Sequence, residues 1–308
     1  MKCLVTGISG LLGSEVISLS PGSIGLNSKD CDLTESSHLR FFPNGKFDTV
    51  IHCAAKVGGV KANTDYVADF FDSNVKMNMN VLEACKYDGL KLVSVLSTCI
   101  YPDAPYVKYP LTEDQLHIGP PHTSNFGYAY SKRMLEVQSR AYRQQFGCNF
   151  ISVIPNNLYG HNDNYDLDSS HVIPALIRKF YEAMCSGKDE VVVWGSGRPV
   201  REFTFARDAA KIILWLAENY DGEEPVNIGN PDCVSIDQLS QMIGDEIGYK
   251  GHVRFDTSKP DGQYEKPSSN EKLRSLGWDG KYTPLHEGLR ETINSFQARY
   301  PNIRGVMI

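Results

Sequence analysis

The sequence predicts an α/β fold in which helices cover both faces of a doubly wound parallel sheet. The first half of the chain alternates short apolar runs with helical patterns, as βαβ units do. Residues 92–96 are apolar at almost every position, which indicates a strand that is buried on both faces. The predicted strands are residues 2–6, 23–27, 48–53, 92–97 and 149–155, and the predicted helices are residues 11–19, 68–87 and 128–146.

A smaller, interleaved C-terminal α/β unit is predicted after Pro155, where the regular alternation ends and Gly, Asn, Asp and Pro accumulate. Helices are expected at residues 172–185, 207–219, 235–247 and 284–300, and short strands at 191–194 and 225–229. The chain is therefore expected to divide into a larger sheet unit, residues 1–157 and about 201–229, and a second unit, about 158–200 and 230–308.

Composition and charge narrow the possible function classes. The chain has 308 residues, of which 41% are hydrophobic and 22% charged, and no apolar stretch reaches the roughly 18 residues that cross a membrane. The net charge of −6 argues against a general nucleic-acid partner. The eight cysteines include no Cys-x-x-Cys pair, so no metal site is expected, and the absence of a secretory signal predicts a cytoplasmic protein.

Three glycines, each three residues after the last, lie between the first predicted strand and the first predicted helix. In such a loop the first glycine allows a sharp turn, the second lets a pyrophosphate approach the backbone, and the third lets the helix pack closely. The helix N-terminus adds unpaired N–H donors. The larger unit is therefore predicted to be a Rossmann-type dinucleotide-binding domain. The expected loop contacts are Gly7, Ile8, Ser9, Gly10, Leu11, Leu12 and Gly13.

The end of the second predicted strand favours NADP(H) over NAD. NAD sites place an acidic residue about 20 residues after the glycines, against the ribose hydroxyls. This chain instead has Asn27, Ser28 and Lys29, whose side chains can donate to a 2′-phosphate. Asp30 and Asp32 follow closely and argue in the other direction, and Asp32 is itself a candidate contact.

A Tyr-x-x-x-Lys pair and a serine are the first candidates for catalysis. Tyr128 and Lys132 are separated by one turn of a predicted helix and so share one face. An ammonium group close to a phenol lowers its pKa, which makes Tyr128 a proton donor for a carbonyl that is being reduced. Ser97 closes a central strand at its carboxyl end, where open α/β sheets bind ligands.

The glycine triplet, the strand-end serine and Tyr-x-x-x-Lys, in this order, resemble the short-chain dehydrogenase/reductase superfamily. The length and the second unit are similar to its extended branch. Within that branch, five segments look like the family of GDP-L-fucose synthases, and the likeness extends to about residue 300. These segments are residues 54–59, 97–102, 125–128, 170–176 and 193–195.

The resemblance implies an NADPH-dependent enzyme that converts GDP-4-keto-6-deoxy-D-mannose to GDP-L-fucose, by epimerisation at C3 and C5 and then reduction of the C4 ketone. Cys99 matches the family's base and His171 its acid, while Ser97 and Tyr128 would stabilise charge on the C4 oxygen. Lys132 would tune Tyr128 and bind the nicotinamide ribose. The further implied cofactor contacts are Ala54, Ala55, Lys56, Leu96, Pro155, Asn157 and Leu158, together with Ser97, Tyr128, Lys132 and His171.

The resemblance also implies a GDP-sugar site in the smaller unit, with basic residues around the substrate pyrophosphate. The implied substrate contacts are Asn157, Val172, Leu176, Lys179, Val193, Trp194, Arg201, Asp261 and Lys266. The family further implies a homodimer, in which the long helices 65–87 and 128–146 of two copies form a four-helix bundle.

Two other interpretations remain open. An NAD-dependent nucleotide-sugar epimerase without net redox change would use Ser97, Tyr128 and Lys132 equally, but the polar and basic residues 27–29 and the Cys99 segment argue against it. A dinucleotide-binding regulator without catalysis would often have lost the tyrosine or the lysine, and both are present here.

Overall fold

The computed structural model describes residues 1–35, 47–259 and 261–306. The strands in this part of the chain are β1 (Cys3–Thr6), β2 (Ile24–Leu26), β3 (Thr49–His52), β4 (Lys91–Val95), β5 (Phe150–Pro155), β6 (Asn157–Tyr159), β7 (Glu190–Trp194), β8 (Val200–Phe205), β9 (Val226–Ile228), β10 (Cys233–Ser235) and β11 (His252–Asp256). The helices are α1 (Leu11–Leu19), α2 (Val60–Asp65), α3 (Val67–Tyr87), α4 (Phe126–Phe146), α5 (Val172–Cys185), α6 (Ala206–Asn219), α7 (Ile236–Ile247), α8 (Glu271–Ser275) and α9 (Leu285–Arg299).

The main sheet has six parallel strands in the order β2-β1-β3-β4-β5-β9, which confirms the predicted doubly wound fold. Its order reverses beside β1, because β2 lies on one side of that strand and β3 to β5 follow on the other. Ligands of open parallel sheets bind at such a reversal, outside the carboxyl ends of the strands.

Alternate residues of each strand face opposite helical layers, because side chains in a strand point to the two faces in turn. Leu4 and Val50 pack in the core that lies under α3 and α4. Cys3, Val5 and Ile51 pack in the core that lies under α1 and α6. Because both faces of these strands are buried, their sequences are continuous apolar runs.

The smaller unit has its own core, which α5, α7 and α9 share with short strands. Its three-stranded sheet has the order β10-β8-β6, in which β8 is antiparallel to β10 and parallel to β6. A second, two-stranded parallel sheet joins β11 to β7. A capping box of Ser235 and Gln238 begins α7, and Gly248 ends it in the left-handed conformation.

The helices α1 and α5 begin and end where the sequence predicts, whereas several short strands were not predicted. Strand β8 was missed because its pattern carries Arg201 and Glu202, and Glu202 is buried through hydrogen bonds from Ser268 and Asn156. Residues 201–205, which the sequence assigned to the larger unit, pair in the smaller sheet. None of the described helices is long and apolar enough to cross a membrane.

Candidate active site

The glycine loop lies at the reversal of strand order. Gly7 has a φ of +74°, which other residues rarely adopt, and a Cβ on it would lie 2.8 Å from the backbone of Ala54 after β3. Its N–H donates to the Leu26 carbonyl of β2 at 2.8 Å. A Cβ on Gly13 would strike the Gly7 carbonyl. Bare backbone therefore borders the place where a pyrophosphate meets a helix N-terminus.

The turn after β2 presents a lysine and engages its acidic residues internally. The Asn27 side-chain oxygen accepts from the Lys29 N–H at 2.8 Å, and the Asp30 carboxylate accepts from the Asn27 N–H at 3.2 Å. The Asp32 carboxylate accepts from the N–H and the hydroxyl of Thr34. Lys29 itself is exposed. The accessible lysine offers a cation to a phosphate, and both carboxylates accept hydrogen bonds within the turn.

The other predicted cofactor residues lie around the same edge of the sheet. The Ala54 N–H donates to Thr6 Oγ1 at 3.1 Å, and the backbone of Lys56 both donates to and accepts from the Asn74 side chain. Ala55 lies between these two anchored positions. Ile8, Ser9, Gly10, Leu11 and Leu12 belong to the glycine loop and the start of α1, Ser28 is exposed in the turn after β2, Leu96 and Pro155 lie at the ends of β4 and β5, and Asn157 and Leu158 begin β6.

Two neighbouring residues attach α4 to the end of β4 and to the turn that follows this strand. Lys132 is 2% exposed and donates from Nζ to the Val95 carbonyl at 2.8 Å. Arg133 donates from Nε to the Ile100 carbonyl. Tyr128 lies one turn before Lys132 on the same face of α4. The pair expected from the sequence therefore lies at the carboxyl end of β4.

The protonation of this pair differs from the expectation. Burial lowers the pKa of Lys132 to about 8, and the Cys99 thiol opposes this shift. Burial raises the pKa of Tyr128, and Cys99 raises it further. The expected lowering of the Tyr128 pKa is therefore wrong for this structure, because the Lys132 ammonium donates to Val95 and desolvation of the phenol prevails. Tyr128 is a protonated phenol at neutral pH.

A buried chain of hydrogen bonds joins the first strands to α4. His52 Nδ1 lies 2.9 Å from Thr6 Oγ1, and His52 Nε2 lies 3.2 Å from Asn78 Oδ1. Asn78 donates from Nδ2 to the Ser131 carbonyl at 3.2 Å. Burial, and secondly the charge of Lys132, lower the pKa of His52 to about 3, so the ring is neutral. The chain ties the ends of β1 and β3 to the helical turn that carries Lys132.

Ser97 and Cys99 lie just beyond β4, where a short 3₁₀ turn follows the strand. Ser97 caps this turn, and its Oγ accepts from the Cys99 N–H at 3.4 Å. Burial raises the pKa of Cys99, whereas the charge of Lys266, the hydrogen bond with Ser97 and the charge of Lys132 lower it. The thiol therefore has a buried position with two cationic groups nearby.

His171 precedes α5 in a loop that contacts the larger unit. The Gly59 N–H donates to the Ser169 carbonyl at 2.8 Å, which holds the loop against the segment before α2. The His171 side chain is exposed to water, yet the protein around it lowers its pKa by desolvation, with Lys266 as the second cause.

Lys266 connects the two candidate acid–base residues. Its charge lowers the pKa of both Cys99 and His171, so the ammonium group lies close to both. Burial lowers the pKa of Lys266 itself, and Cys99 acts against that shift. Lys266 thus acts electrostatically on both Cys99 and His171, and Cys99 acts on Tyr128 and Lys132.

An exposed tryptophan and two lysines form a separate group in the smaller unit. Trp194 is 49% exposed at the end of β7, and the ammonium groups of Lys179 and Lys259 lie 5.4 and 5.5 Å from the centroid of its ring. Burial lowers the pKa of Lys179, whose Nζ also donates to the Val192 carbonyl at 3.1 Å. The group combines a flat stacking surface with positive charge.

Arg201 and Asp261 join loop segments of the smaller unit to one another. The Asp261 carboxylate accepts from the N–H and the hydroxyl of Ser196 at 2.6 and 2.8 Å. Arg201 donates to the Gln263 carbonyl. Burial lowers the pKa of Arg201, and Asp261 opposes the shift. Both side chains thereby anchor the segment that leads to Lys266.

The remaining predicted substrate contacts serve packing in this structure. Leu176 and Val193 are buried in the core of the smaller unit, and Val172 packs against that core. Asn157 donates from Nδ2 to the Glu202 carbonyl at 2.8 Å. Of these four residues, Val172 and Asn157 remain partly accessible.

Sequence reasoning missed the polar residues that position the site. His52, Asn78 and Arg133 match no catalytic motif, and they approach the site only through the packing of α3 and α4 on the sheet. The available signal was the presence of polar residues at core positions of an apolar strand and of two amphipathic helices, since buried polar groups need partners.

Known proteins share this architecture. The chain matches the NAD dependent epimerase/dehydratase family over residues 3–229. It is 43% identical to the GDP-L-fucose synthase of Dictyostelium discoideum, over 98% of this chain and 97% of the relative. The structure of a GDP-L-fucose synthetase from Naegleria fowleri bound to NADP is 40% identical, with a TM-score of 0.88, and covers 98% of this chain and 95% of its own. The UDP-glucose 4-epimerase of Thermus thermophilus in complex with NAD, at 23% identity and a TM-score of 0.79, covers 96% of this chain and 99% of its own and shares the fold alone.

Proposed function

We propose that this chain, which belongs to the NAD dependent epimerase/dehydratase family and within it to the GDP-L-fucose synthases, converts GDP-4-keto-6-deoxy-D-mannose to GDP-L-fucose with NADPH. The reaction inverts C3 and C5 of the sugar and then reduces the C4 ketone. The observation that carries the proposal is that Lys266 acts electrostatically on both Cys99 and His171, while Cys99 acts on Tyr128 and Lys132. Two proton-transfer groups next to a carbonyl-reducing pair suit both steps.

Epimerisation begins with the removal of a proton from a carbon next to the ketone. Cys99 accepts this proton as a thiolate. Because burial opposes ionisation of the thiol, the ammonium groups of Lys266 and Lys132 are its counter-charges. His171 belongs to the other unit and donates a proton to the opposite face of the sugar. Because its pKa is lowered, the protonated ring is the minor form at neutral pH and is correspondingly more acidic when it forms.

Reduction uses the hydroxyl groups at the end of β4 and on α4. The C4 oxygen gathers negative charge in every step, and the hydroxyls of Ser97 and Tyr128 stabilise it by donating hydrogen bonds. When bound, NADPH supplies the hydride for the C4 carbon. Tyr128, which burial keeps protonated, donates its proton to the C4 oxygen, and Lys132 holds the ribose side of the site.

NADP(H) is the cofactor, and the residues of the larger unit fit it. The bare backbone at Gly7 and Gly13 leaves room for a pyrophosphate at the start of α1. The exposed Lys29 suits a 2′-phosphate, since the carboxylates of Asp30 and Asp32 are engaged in the turn. In the smaller unit, we assign the guanine to the exposed face of Trp194, with Lys179 beside it for the substrate phosphates.

The test is an assay of the purified protein with GDP-4-keto-6-deoxy-D-mannose and NADPH in deuterated water. The expected result is oxidation of NADPH together with deuterium at C3 and C5 of the product, located by NMR. Oxidation of NADPH without deuterium at these carbons would make the protein a simple 4-reductase and remove Cys99 and His171 from their roles. No oxidation would favour the NAD-dependent epimerase.

The assembly, the compartment and the domain boundaries belong to the same proposal. Exposed apolar side chains on the adjoining helices α3 and α4, among them Met79 and Val137, suit a homodimer through a four-helix bundle. A Val137→Glu variant should then sediment as a monomer where the wild type sediments as a dimer.

The exposed thiols of Cys185 and Cys233 suit the reducing cytoplasm. Residues 1–157 and about 201–229 are assigned to the dinucleotide unit, with the exception of residues 201–205, which pair in the sheet of the substrate unit.

A further inference from the structure

The segment that follows α9 reaches from the smaller unit to the glycine loop of the larger one. We call residues 301–306 the α9 extension. A Cβ built on Gly10 would lie 4.0 Å from a terminal guanidinium nitrogen of Arg304. The second glycine of such a loop lacks a side chain on the side from which a pyrophosphate approaches the backbone. Arg304 therefore stands on that side of the loop.

The backbone of the α9 extension is fixed at several points, so the position of Arg304 is determined by the fold. Ile303 is buried in the core of the smaller unit. The Tyr165 N–H donates to the Arg304 carbonyl at 3.0 Å, and Arg178 donates from Nη1 to the Gly305 carbonyl at 2.9 Å. An anchored backbone reduces the entropy that a side chain loses when it binds a ligand.

The guanidinium group is available for a ligand. The Arg304 side chain is exposed, and within the described ranges it forms no hydrogen bond and no ion pair. Burial raises the pKa of Asp163 to about 7, and the charge of Arg304 is one of the influences that oppose this shift. The Asp163 Oδ2 has no hydrogen-bond partner among the described residues. A guanidinium group that makes no hydrogen bond and no ion pair among the described residues, on an anchored backbone beside the helix N-terminus at Gly10, can donate to a phosphate.

We propose that Arg304 binds the pyrophosphate of the dinucleotide, so that the α9 extension closes the cofactor site from the substrate unit. The inference rests on the proposed function in one respect only, the binding of NADP(H) at the glycine loop. It adds a contact from the smaller unit to a site that the motif alone assigns to the larger unit. Loading of the cofactor thereby stabilises the contact between the two units.

The test compares Arg304→Gln and Arg304→Lys with the wild type, and Arg290→Gln is the matched control. Arg290 is an exposed arginine of α9 that pairs with Glu246, so the control removes the same charge away from the loop. The Kd of NADPH is measured by its fluorescence. The Kd of adenosine 2′-monophosphate, a probe without a pyrophosphate, is measured by its displacement of NADPH. Thermal unfolding with and without NADPH reports folding and binding independently of turnover.

We expect Arg304→Gln to raise the Kd for NADPH about tenfold or more, since a hydrogen bond to a charged group is lost. The Kd for adenosine 2′-monophosphate, the Tm without ligand and the KM for the sugar nucleotide should not change. The increase of Tm with NADPH should shrink, and Arg304→Lys should recover part of the affinity. Arg290→Gln should match the wild type.

Three results would overturn the proposal. They are an unchanged Kd for NADPH, equal weakening of both probes, and tighter binding by Arg304→Gln, which would show that the arginine obstructs the site. A wild type that binds NADPH but does not convert the GDP-sugar would refute the proposed function and leave the role of Arg304 intact. A wild type that does not bind NADPH would refute both.

Discussion

The two sides of the candidate active site are held by different kinds of structure. On the sheet side, Lys132 lies on the long helix α4, and its ammonium group donates to the carbonyl at the end of β4. The neutral ring of His52 connects that helix to the first strands through Asn78. On the other side, His171 and Lys266 lie in loop segments, which are held by backbone bonds such as that from Gly59 to the Ser169 loop.

This difference separates chemistry from specificity. The groups proposed for carbonyl reduction lie on or next to rigid elements, which hold their geometry closely. The groups proposed to distinguish the substrate lie in loops, which vary more readily without loss of the fold. Cys99 lies where the two sides meet, because its neighbours include Lys132 from the first side and Lys266 from the second.

The largest effect is expected on the rigid side, from Tyr128→Phe. The change removes the proton donor to the C4 oxygen and leaves the ring in place, so NADPH oxidation at saturating substrate should fall by about 10²–10⁴-fold. The matched control is Tyr130→Phe on the same helix, at a residue that is 41% exposed, and it should retain full activity. Equal losses in the two variants would mean that α4 itself had been disturbed.

A somewhat smaller effect is expected from Cys99→Ser at the meeting point. A hydroxyl ionises far less readily than a thiol, so deuterium uptake at C3 and C5 should fall by about 10²-fold. Cys185→Ser, at an exposed cysteine, is the control for general thiol effects. Full uptake by the Cys99 variant, measured by NMR, would assign the base to another group.

On the loop side, Lys266→Gln should change the pH dependence and not only the rate. The ammonium group lowers the pKa of both Cys99 and His171, so its removal raises both. Deuterium uptake should then fall at neutral pH, because a smaller fraction of Cys99 is ionised, and it should recover as the pH rises. Lys250→Gln, at an exposed lysine, should keep the wild-type pH profile. A uniform loss at every pH would show that Lys266 only binds the substrate.

The smallest effect on activity, but a clear effect on the pH dependence of stability, is expected from His52→Gln, which changes a buried residue behind the site. The pKa of His52 falls from 6.5 to about 3 on folding, so the unfolded chain binds the extra proton below pH 6.5. The free energy of unfolding should therefore decrease as the pH falls, by about 2 kcal/mol between pH 7 and pH 5 from this residue. Urea unfolding of His52→Gln should lack this part of the decrease, whereas His286→Gln, at an exposed histidine, should retain it. A wild-type decrease that persists in His52→Gln would refute the assignment.

Much of the rigid side could be predicted from the sequence, and little of the loop side could. The glycine triplet, Ser97 and Tyr128–Lys132 follow from local spacing within single βα units, where period and order determine position. The closeness of Lys266 to Cys99 could not be derived from spacing, because more than 160 residues separate them and only the docking of two units brings them together. The expected lowering of the Tyr128 pKa failed for a related reason, since burial is a property of the packed fold.

By itself, the sequence determined the alternation of strands and helices, the glycine loop at the first turn and the pair on one face of α4, because each depends on the period of a local element. The tertiary structure alone decided which charges surround Cys99 and His171, that Arg201 and Asp261 anchor loops, and that Arg304 lies beside Gly10. Electrostatic contacts depend on distance and desolvation, and both are fixed only when remote segments pack together.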